Sequence, residues 1–290
     1  MARSSLVRTA LVQHAPVLGD LPANLAWSCE RVAAEVAAGS DLVIFPELSL
    51  SGYFLKDLTH QAAVAIDGPE IEQLIRATGA AAALVGVVLE SPRFNFYNAA
   101  VLISDGAVRQ VHRKVYLPTY GMFDEQRYLG AGDRFEVVEL SLGGGDCWRV
   151  GILLCEDLWH PSSAYLLSQA GVDLILCPSA SPGRRVSGLE GELGSASSYG
   201  AMLRTYAELF TVFVAYCNRV GFEDGFHFWG GSRVLGPDGR ILAGPMGDAA
   251  GVLHVELDRR DLRRARIAYP LLRDERLDVV RRQLALGDHG

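Results

Sequence analysis

The chain has almost no lysine. Of its 27 basic side chains, only Lys56 and Lys114 are lysines, and the rest are arginine. Arginine holds a permanent charge well, whereas lysine offers a compact cation that can sit within reach of an oxyanion or thiolate. Lys114, between Val111-His-Arg113 and Val115-Tyr-Leu-Pro118, therefore stands out.

Other absences narrow the function class. The five cysteines (Cys29, Cys147, Cys155, Cys177, Cys217) form no Cys-x-x-Cys pair and no zinc-type spacing, so neither a disulfide framework nor a metal site is expected. Despite 49% hydrophobic content, no apolar run approaches the roughly 18–20 residues of a membrane span. The N-terminus, Met1-Ala-Arg-Ser-Ser-Leu-Val-Arg-Thr9, has no apolar region leading to a cleavage site, and the cytoplasm is the expected compartment. The net charge is −7 without a basic cluster, which argues against nucleic acid as a partner. The arginines from Arg259 to Arg282 are interleaved with Asp and Glu, as on a salt-bridged helical surface. Gly143-Gly-Gly145 reads as a turn, because the P-loop Lys-Ser/Thr and the dinucleotide fingerprint are both missing. No Pro/Ser-rich linker divides the chain, so residues 1–290 are expected to form one α/β domain, with about 258–290 as a C-terminal arm.

What is present is an interleaving of strands and helices. Val7–Gln13 reads as a strand, and Pro22 and Asn24 introduce a helix with Leu25, Cys29, Val32, Ala33 and Val36 on its apolar face, stopped at Gly39. A second helix is expected over Pro69–Ala80, then strands at Ala83–Leu89, Asn98–Ser104 and Ala107–His112. Residues 114–133 lack any period and read as a long functional loop. Asp173-Leu-Ile-Leu-Cys-Pro178 repeats the grammar of Asp41-Leu-Val-Ile-Phe-Pro46, an internal echo that suggests two related halves of one sandwich. Residues 183–198 and 222–231 read as loops bearing on pocket selectivity.

Polar residues end three core strands abruptly. Trp148-Arg-Val-Gly-Ile-Leu-Leu-Cys155-Glu-Asp-Leu-Trp-His-Pro161 reads as a buried strand breaking at Cys155 into a turn and a helix. A thiol held there is placed as a nucleophile would be, although a free cysteine is more often a small buried hydrophobe. Glu47 follows Ile44-Phe45-Pro46, where a carboxylate is partly desolvated and suited to general-base work. Glu47, Lys114 and Cys155 together make a constellation that chance explains poorly.

Phe45-Pro46-Glu47 with Gly52-Tyr53, then His112-Arg113-Lys114-Val-Tyr-Leu-Pro118, then Gly151-Ile-Leu-Leu-Cys155-Glu-Asp resemble the three signature blocks of the nitrilase (carbon–nitrogen hydrolase) superfamily. The resemblance implies a four-layer α-β-β-α sandwich and a Glu–Lys–Cys triad, which by position is Glu47, Lys114 and Cys155. Glu125 matches the second glutamate that many members place beside the triad. Leu117-Pro-Thr-Tyr120-Gly-Met-Phe-Asp-Glu125-Gln-Arg-Tyr128, Cys155-Glu-Asp-Leu-Trp159 and Ser179-Ala-Ser-Pro182 further resemble the glutaminase (amidase) domain of glutamine-dependent NAD synthetases. That likeness implies Tyr120 and Trp159 as pocket residues, with Tyr53 and Ser181 as further ones.

The implied activity is an amidase without metal or organic cofactor, in which Cys155 attacks a small linear primary amide or carbamoyl amine and ammonia is released. Lys114 and the backbone N–H of Glu156 would hold the oxyanion, while Glu125 would orient Lys114 or the attacking water. No synthetase segment with a Ser-Gly-Gly-x-Asp-Ser loop follows, so a free-standing amidase is expected ahead of a detached glutaminase subunit. The resemblance also implies a homodimer or larger assembly. Three alternatives stay open: a cysteine–histidine pair using His160, acyl transfer to an amine, and a non-catalytic binding module.

Overall fold

A computed structural model describes residues 6–183 and 194–287. In chain order, β1 (Leu6–Gln13), β2 (Leu42–Ile44), β3 (Ala63–Ala65), β4 (Ala82–Glu90), β5 (Phe96–Ser104) and β6 (Ala107–Arg113) lie in one sheet. The second sheet begins with β7 (Val137–Leu142), β8 (Asp146–Ile152), β9 (Leu174–Ser179) and β10 (Phe213–Asn218). A separate hairpin, β11 (Val220–Glu223) and β12 (Phe226–Trp229), precedes β13 (Arg233–Leu235) and β14 (Ile241–Ala243), which complete the second sheet. The last strand, β15 (Gly251–Asp258), returns to the first sheet and pairs antiparallel with β1.

Side chains alternate across each strand, so a strand buried on both faces feeds two cores. Leu42 and Ile44 of β2 join Leu84 and Leu102 in a core between the sheets, opposite Trp148, Ile152, Leu176 and Phe213. Val43 and Phe45 point the other way, onto α1 (Leu21–Ala37) and α2 (Pro69–Thr78), where Leu25, Val32, Ile71 and Leu74 meet them. Behind the second sheet, Ile175, Val214 and Tyr216 pack on Leu167 and Leu203. These belong to α4 (Pro161–Gln169) and α5 (Gly194–Phe210); the one-turn α3 (Glu125–Tyr128) lies earlier in the chain. The result is a four-layer α-β-β-α sandwich. After β15 come α6 (Arg259–Ala268), α7 (Leu271–Asp274) and α8 (Leu277–Gly287). Among the described residues, no helix is long and apolar enough to cross a membrane.

The internal echo is a repeat of structure as well as sequence. β2 runs parallel between β1 and β4, and β9 runs parallel between β8 and β10. The leading aspartates are wired alike. Asp41 N–H donates to Arg8 O at 2.8 Å, and the Asp41 carboxylate accepts from Arg8 N at 2.8 Å. Asp173 does the same with Arg149, at 2.7 and 3.2 Å.

Two loop readings change. Residues 184–193 of the expected 183–198 loop lie outside the described residues, and residues 194–198 already belong to α5. The stretch at 222–231 is largely the β11–β12 hairpin, turned by Asp224 and Gly225, both with positive φ. Asp-Gly is a strong hairpin signal because such a turn matches the twist of the flanking strands. The 114–133 stretch is irregular apart from α3.

Candidate active site

The ends of β2 and β6 place one carboxyl group and one amine. Proline has no N–H to extend the ladder, so β2 yields at Phe45-Pro46, and Leu48 turns the chain with φ 48°. This turn presses against β4 at Gly86, where a Cβ would lie 2.4 Å from Pro46 O and from Leu48 N. Glu47 is thereby buried completely. Past β6, Lys114 N donates to Asn98 O and Lys114 O accepts from Gly132 N, both at 2.8 Å.

The two charges meet in a closed network. Lys114 Nζ donates to Glu47 Oε1 at 2.8 Å and to Glu125 Oε1 at 2.6 Å. Asn98 Nδ2 donates to Glu47 Oε1 at 2.7 Å and reaches Glu125 Oε2 at 3.5 Å. Ala180 N, from the loop after β9, donates to Glu47 Oε2 at 2.7 Å, and the Tyr53 hydroxyl donates to Glu125 Oε1. Burial works against the Lys114 charge, yet Glu125 and Glu47 hold it well above the ordinary lysine value. Burial pushes Glu125 above the usual carboxylate range, with Lys114 pulling against that rise and Glu47 adding to it.

The second sheet delivers the thiol. After β8, Leu153 N still pairs with Leu176 O at 3.0 Å, and then Cys155 adopts φ 48° and opens a 3-10 turn, Cys155–Trp159. A non-glycine residue held in the left-handed region costs on the order of 1–3 kcal/mol, so the surroundings must fix it. Asp157 does much of the fixing. Its fully buried carboxylate accepts from Val115 N and Tyr116 N on one oxygen, both at 3.0 Å, and on the other from Leu154 N at 3.0 Å and His112 Nε2 at 2.8 Å. The strand end bearing the thiol is thus tied to the segment just after Lys114. Burial and the Glu47 carboxylate push the Cys155 thiol well above its ordinary value, against the pull of Lys114. A thiol held this way is disfavoured as a thiolate. Its sulfur lies 3.4 Å from Tyr199 Oη.

Cys155 opens onto a cavity of about 240 Å³ walled by Tyr120, Phe123, Trp159, Ser181 and Tyr199, with Glu156 beside the thiol. Tyr120 Oη donates to the Glu156 carboxylate at 3.0 Å, and Trp229 Nε1 to Ser181 Oγ at 3.4 Å. Among the described residues, no group of three or more His, Cys, Asp or Glu is arranged to hold a metal ion.

The family model for carbon–nitrogen hydrolases matches residues 8–267. The chain belongs to the carbon–nitrogen hydrolase family. It is 35% identical to a glutamine-dependent NAD(+) synthetase of Thermotoga maritima, over 81% of this chain and 39% of that protein. The chain therefore spans well under half the length of that relative. It is 32% identical to an (R)-stereoselective amidase of Pseudomonas sp., over 93% of this chain and 92% of that enzyme. Its structure superposes with a TM-score of 0.77 on a mutant amidase from Nesterenkonia sp. AN1, at 26% identity over 96% of this chain and 97% of that one. That structure shows covalent addition of the acetamide moiety of fluoroacetamide at the active-site cysteine.

Within this carbon–nitrogen hydrolase, Glu47, Lys114 and Glu125 share one hydrogen-bonded cluster, and Glu47 and Lys114 act electrostatically on the Cys155 sulfur. Tyr120, Trp159 and Ser181 reach the same cavity as Cys155. Tyr53 instead lines a smaller cavity of about 100 Å³ with Phe54, Met122 and Glu125, and its hydroxyl engages Glu125. His160 stacks face to face on Tyr116, with ring centroids 3.5 Å apart. Sequence reasoning missed Asn98, Asp157 with His112, and Tyr199. Asn98 carried a usable signal, a lone amide at the start of the apolar run Ala99-Ala-Val-Leu-Ile103.

Proposed function

We propose that this hydrolase is an amidase, cleaving a small linear primary amide or carbamoyl amine through a cysteine thioester and releasing ammonia. The observation that carries the reading is the buried Glu47–Lys114–Glu125 cluster acting on Cys155 at the wall of a small cavity. Glu47 takes the thiol proton as sulfur attacks the carbonyl carbon. The C–S bond forms while the carbonyl electron pair moves onto oxygen, where Lys114 and the Glu156 backbone N–H stabilise it. Removing one such donor typically costs roughly 2.7–4 kcal/mol of transition-state stabilisation. The C–N bond then breaks, and nitrogen leaves as ammonia with the proton from Glu47. Water attacks the thioester with Glu47 again as base, releasing the acid and restoring the thiol. Glu125 orients Lys114 and the attacking water, and no metal or organic cofactor enters these steps.

The amidases of Pseudomonas and Nesterenkonia among the relatives support an amide substrate. The likeness to NAD synthetases favours one second reading, in which glutamine is the amide and the ammonia goes to a separate synthetase. An ammonia-release screen over glutamine, asparagine, carbamoyl amines, ω-amides and nitriles separates them, with Cys155→Ala as blank. We expect turnover of a linear amide or carbamoyl amine that vanishes in the blank. Turnover of glutamine alone supports the second reading, and silence on every amide beside turnover of a nitrile or a peptide bond overturns both.

A further inference from the structure

We propose that Tyr199 is a catalytic residue whose phenol donates a hydrogen bond to the Cys155 sulfur and stabilises its thiolate form. The proposal rests on the reading of Cys155 as nucleophile and deepens it.

Tyr199 sits near the start of α5, 1% exposed, with its oxygen 3.4 Å from the sulfur. Its ring is held by aromatic neighbours on several sides: Tyr216 at 4.9 Å, Trp229 at 6.2 Å and Trp159 edge-on at 5.4 Å. The bland account makes it one more core aromatic of the outer layer. Packing alone does not call for the hydroxyl, because phenylalanine fills the same space, and a buried hydroxyl needs a partner. At rest either group of this pair can donate, but a thiolate carries no proton, so once charge forms on the sulfur the phenol is the donor. Burial and the nearby thiol hold Tyr199 well above the ordinary phenol value, so it keeps its proton and serves as a donor.

The thiol proton passes to Glu47 as negative charge grows on a sulfur that burial and Glu47 both disfavour in charged form. Lys114 opposes that penalty through its charge and Tyr199 through its hydrogen bond. A hydrogen bond to a charged acceptor is roughly twice as strong as one between neutral groups, so the contact strengthens during attack. It weakens in the thioester, where the sulfur is neutral, and strengthens again when thiolate leaves the second tetrahedral adduct. Tyr199 loses no proton at any step.

The test is Tyr199→Phe, which removes one oxygen and retains the ring. Iodoacetamide labelling at Cys155 is followed by peptide mass against Cys147, which is exposed and serves as the internal reference. A hydrogen bond to a charged group shifts a thiol by about one to two pH units. Because nucleophilicity falls as thiolate becomes easier to form, about half of that shift survives in the rate. The Cys155 rate is therefore expected to fall roughly three- to tenfold, with Cys147 unchanged. An unchanged Cys155-to-Cys147 ratio overturns the role of Tyr199. If Cys155→Ala still releases ammonia from the amide panel, the reading of Cys155 as nucleophile fails instead.

Discussion

Asp157→Asn should loosen the turn that carries Cys155 while the protein stays folded, and the magnitude follows from the bonds its carboxylate accepts. One Asp157 oxygen receives two backbone N–H groups and the other receives Leu154 N and His112 Nε2, with no solvent in reach. Asparagine can offer its oxygen to only one of these pairs; its NH2 then faces the donors of the other. Hydrogen bonds to a charged group are worth about 1.5–3 kcal/mol each, and an unsatisfied buried donor costs a similar amount. The two bonds lost alone come to about 3–6 kcal/mol, against the roughly 5–15 kcal/mol by which domains of this kind are stable. The variant should therefore fold with a clearly lower urea midpoint, read by tryptophan fluorescence. Its Cys155 should also react more slowly with iodoacetamide than in the parent, relative to Cys147, because a displacement of about 1 Å can cost on the order of a hundredfold in rate. A stability loss under about 1 kcal/mol would refute the idea that this carboxylate ties the thiol strand to the Lys114 segment.

Two shorter predictions follow from other parts of the molecule. Burial, helped by Arg219, lowers His14 to about 3, so the folded state keeps it neutral while an unfolded chain takes up a proton below about 6.5. Stability should fall as pH drops from about 6.5 toward 3, by up to ~1.4 kcal/mol per unit, and His14→Gln should flatten that slope in melting curves; an unaltered slope would count against it. We also propose a homodimer in which the C-terminal arm reaches across, since α8 has no buried residue and Leu284 and Ile267 are 69% and 64% exposed. Light scattering at micromolar concentration should give twice the chain mass, and a monomeric mass would contradict the proposal.

The sequence was readable where a residue announces itself against its neighbours. Glu47 and Cys155 end apolar strands, and Lys114 is one of two lysines, so each breaks a local pattern. The same holds for the layers: the unbroken apolar run in Asp41-Leu-Val-Ile-Phe-Pro46 and its echo at Asp173 foreshadows strands buried on both faces. What stayed hidden are residues defined by a partner far along the chain. Asp157 meets His112 across 45 positions, Tyr199 meets Cys155 across 44, and Tyr53 meets Glu125 across 72. Nothing in a helix such as Ser-Ala-Ser-Ser-Tyr199-Gly-Ala-Met distinguishes a phenol set beside a thiol from one that fills a core. The distinction lies in the 3.4 Å approach of the phenol oxygen to the Cys155 sulfur, and Cys155 lies upstream on the other side of the undescribed stretch at 184–193. Strand-end chemistry is therefore legible one residue at a time, whereas the groups that tune it become visible only when the two sheets are brought face to face.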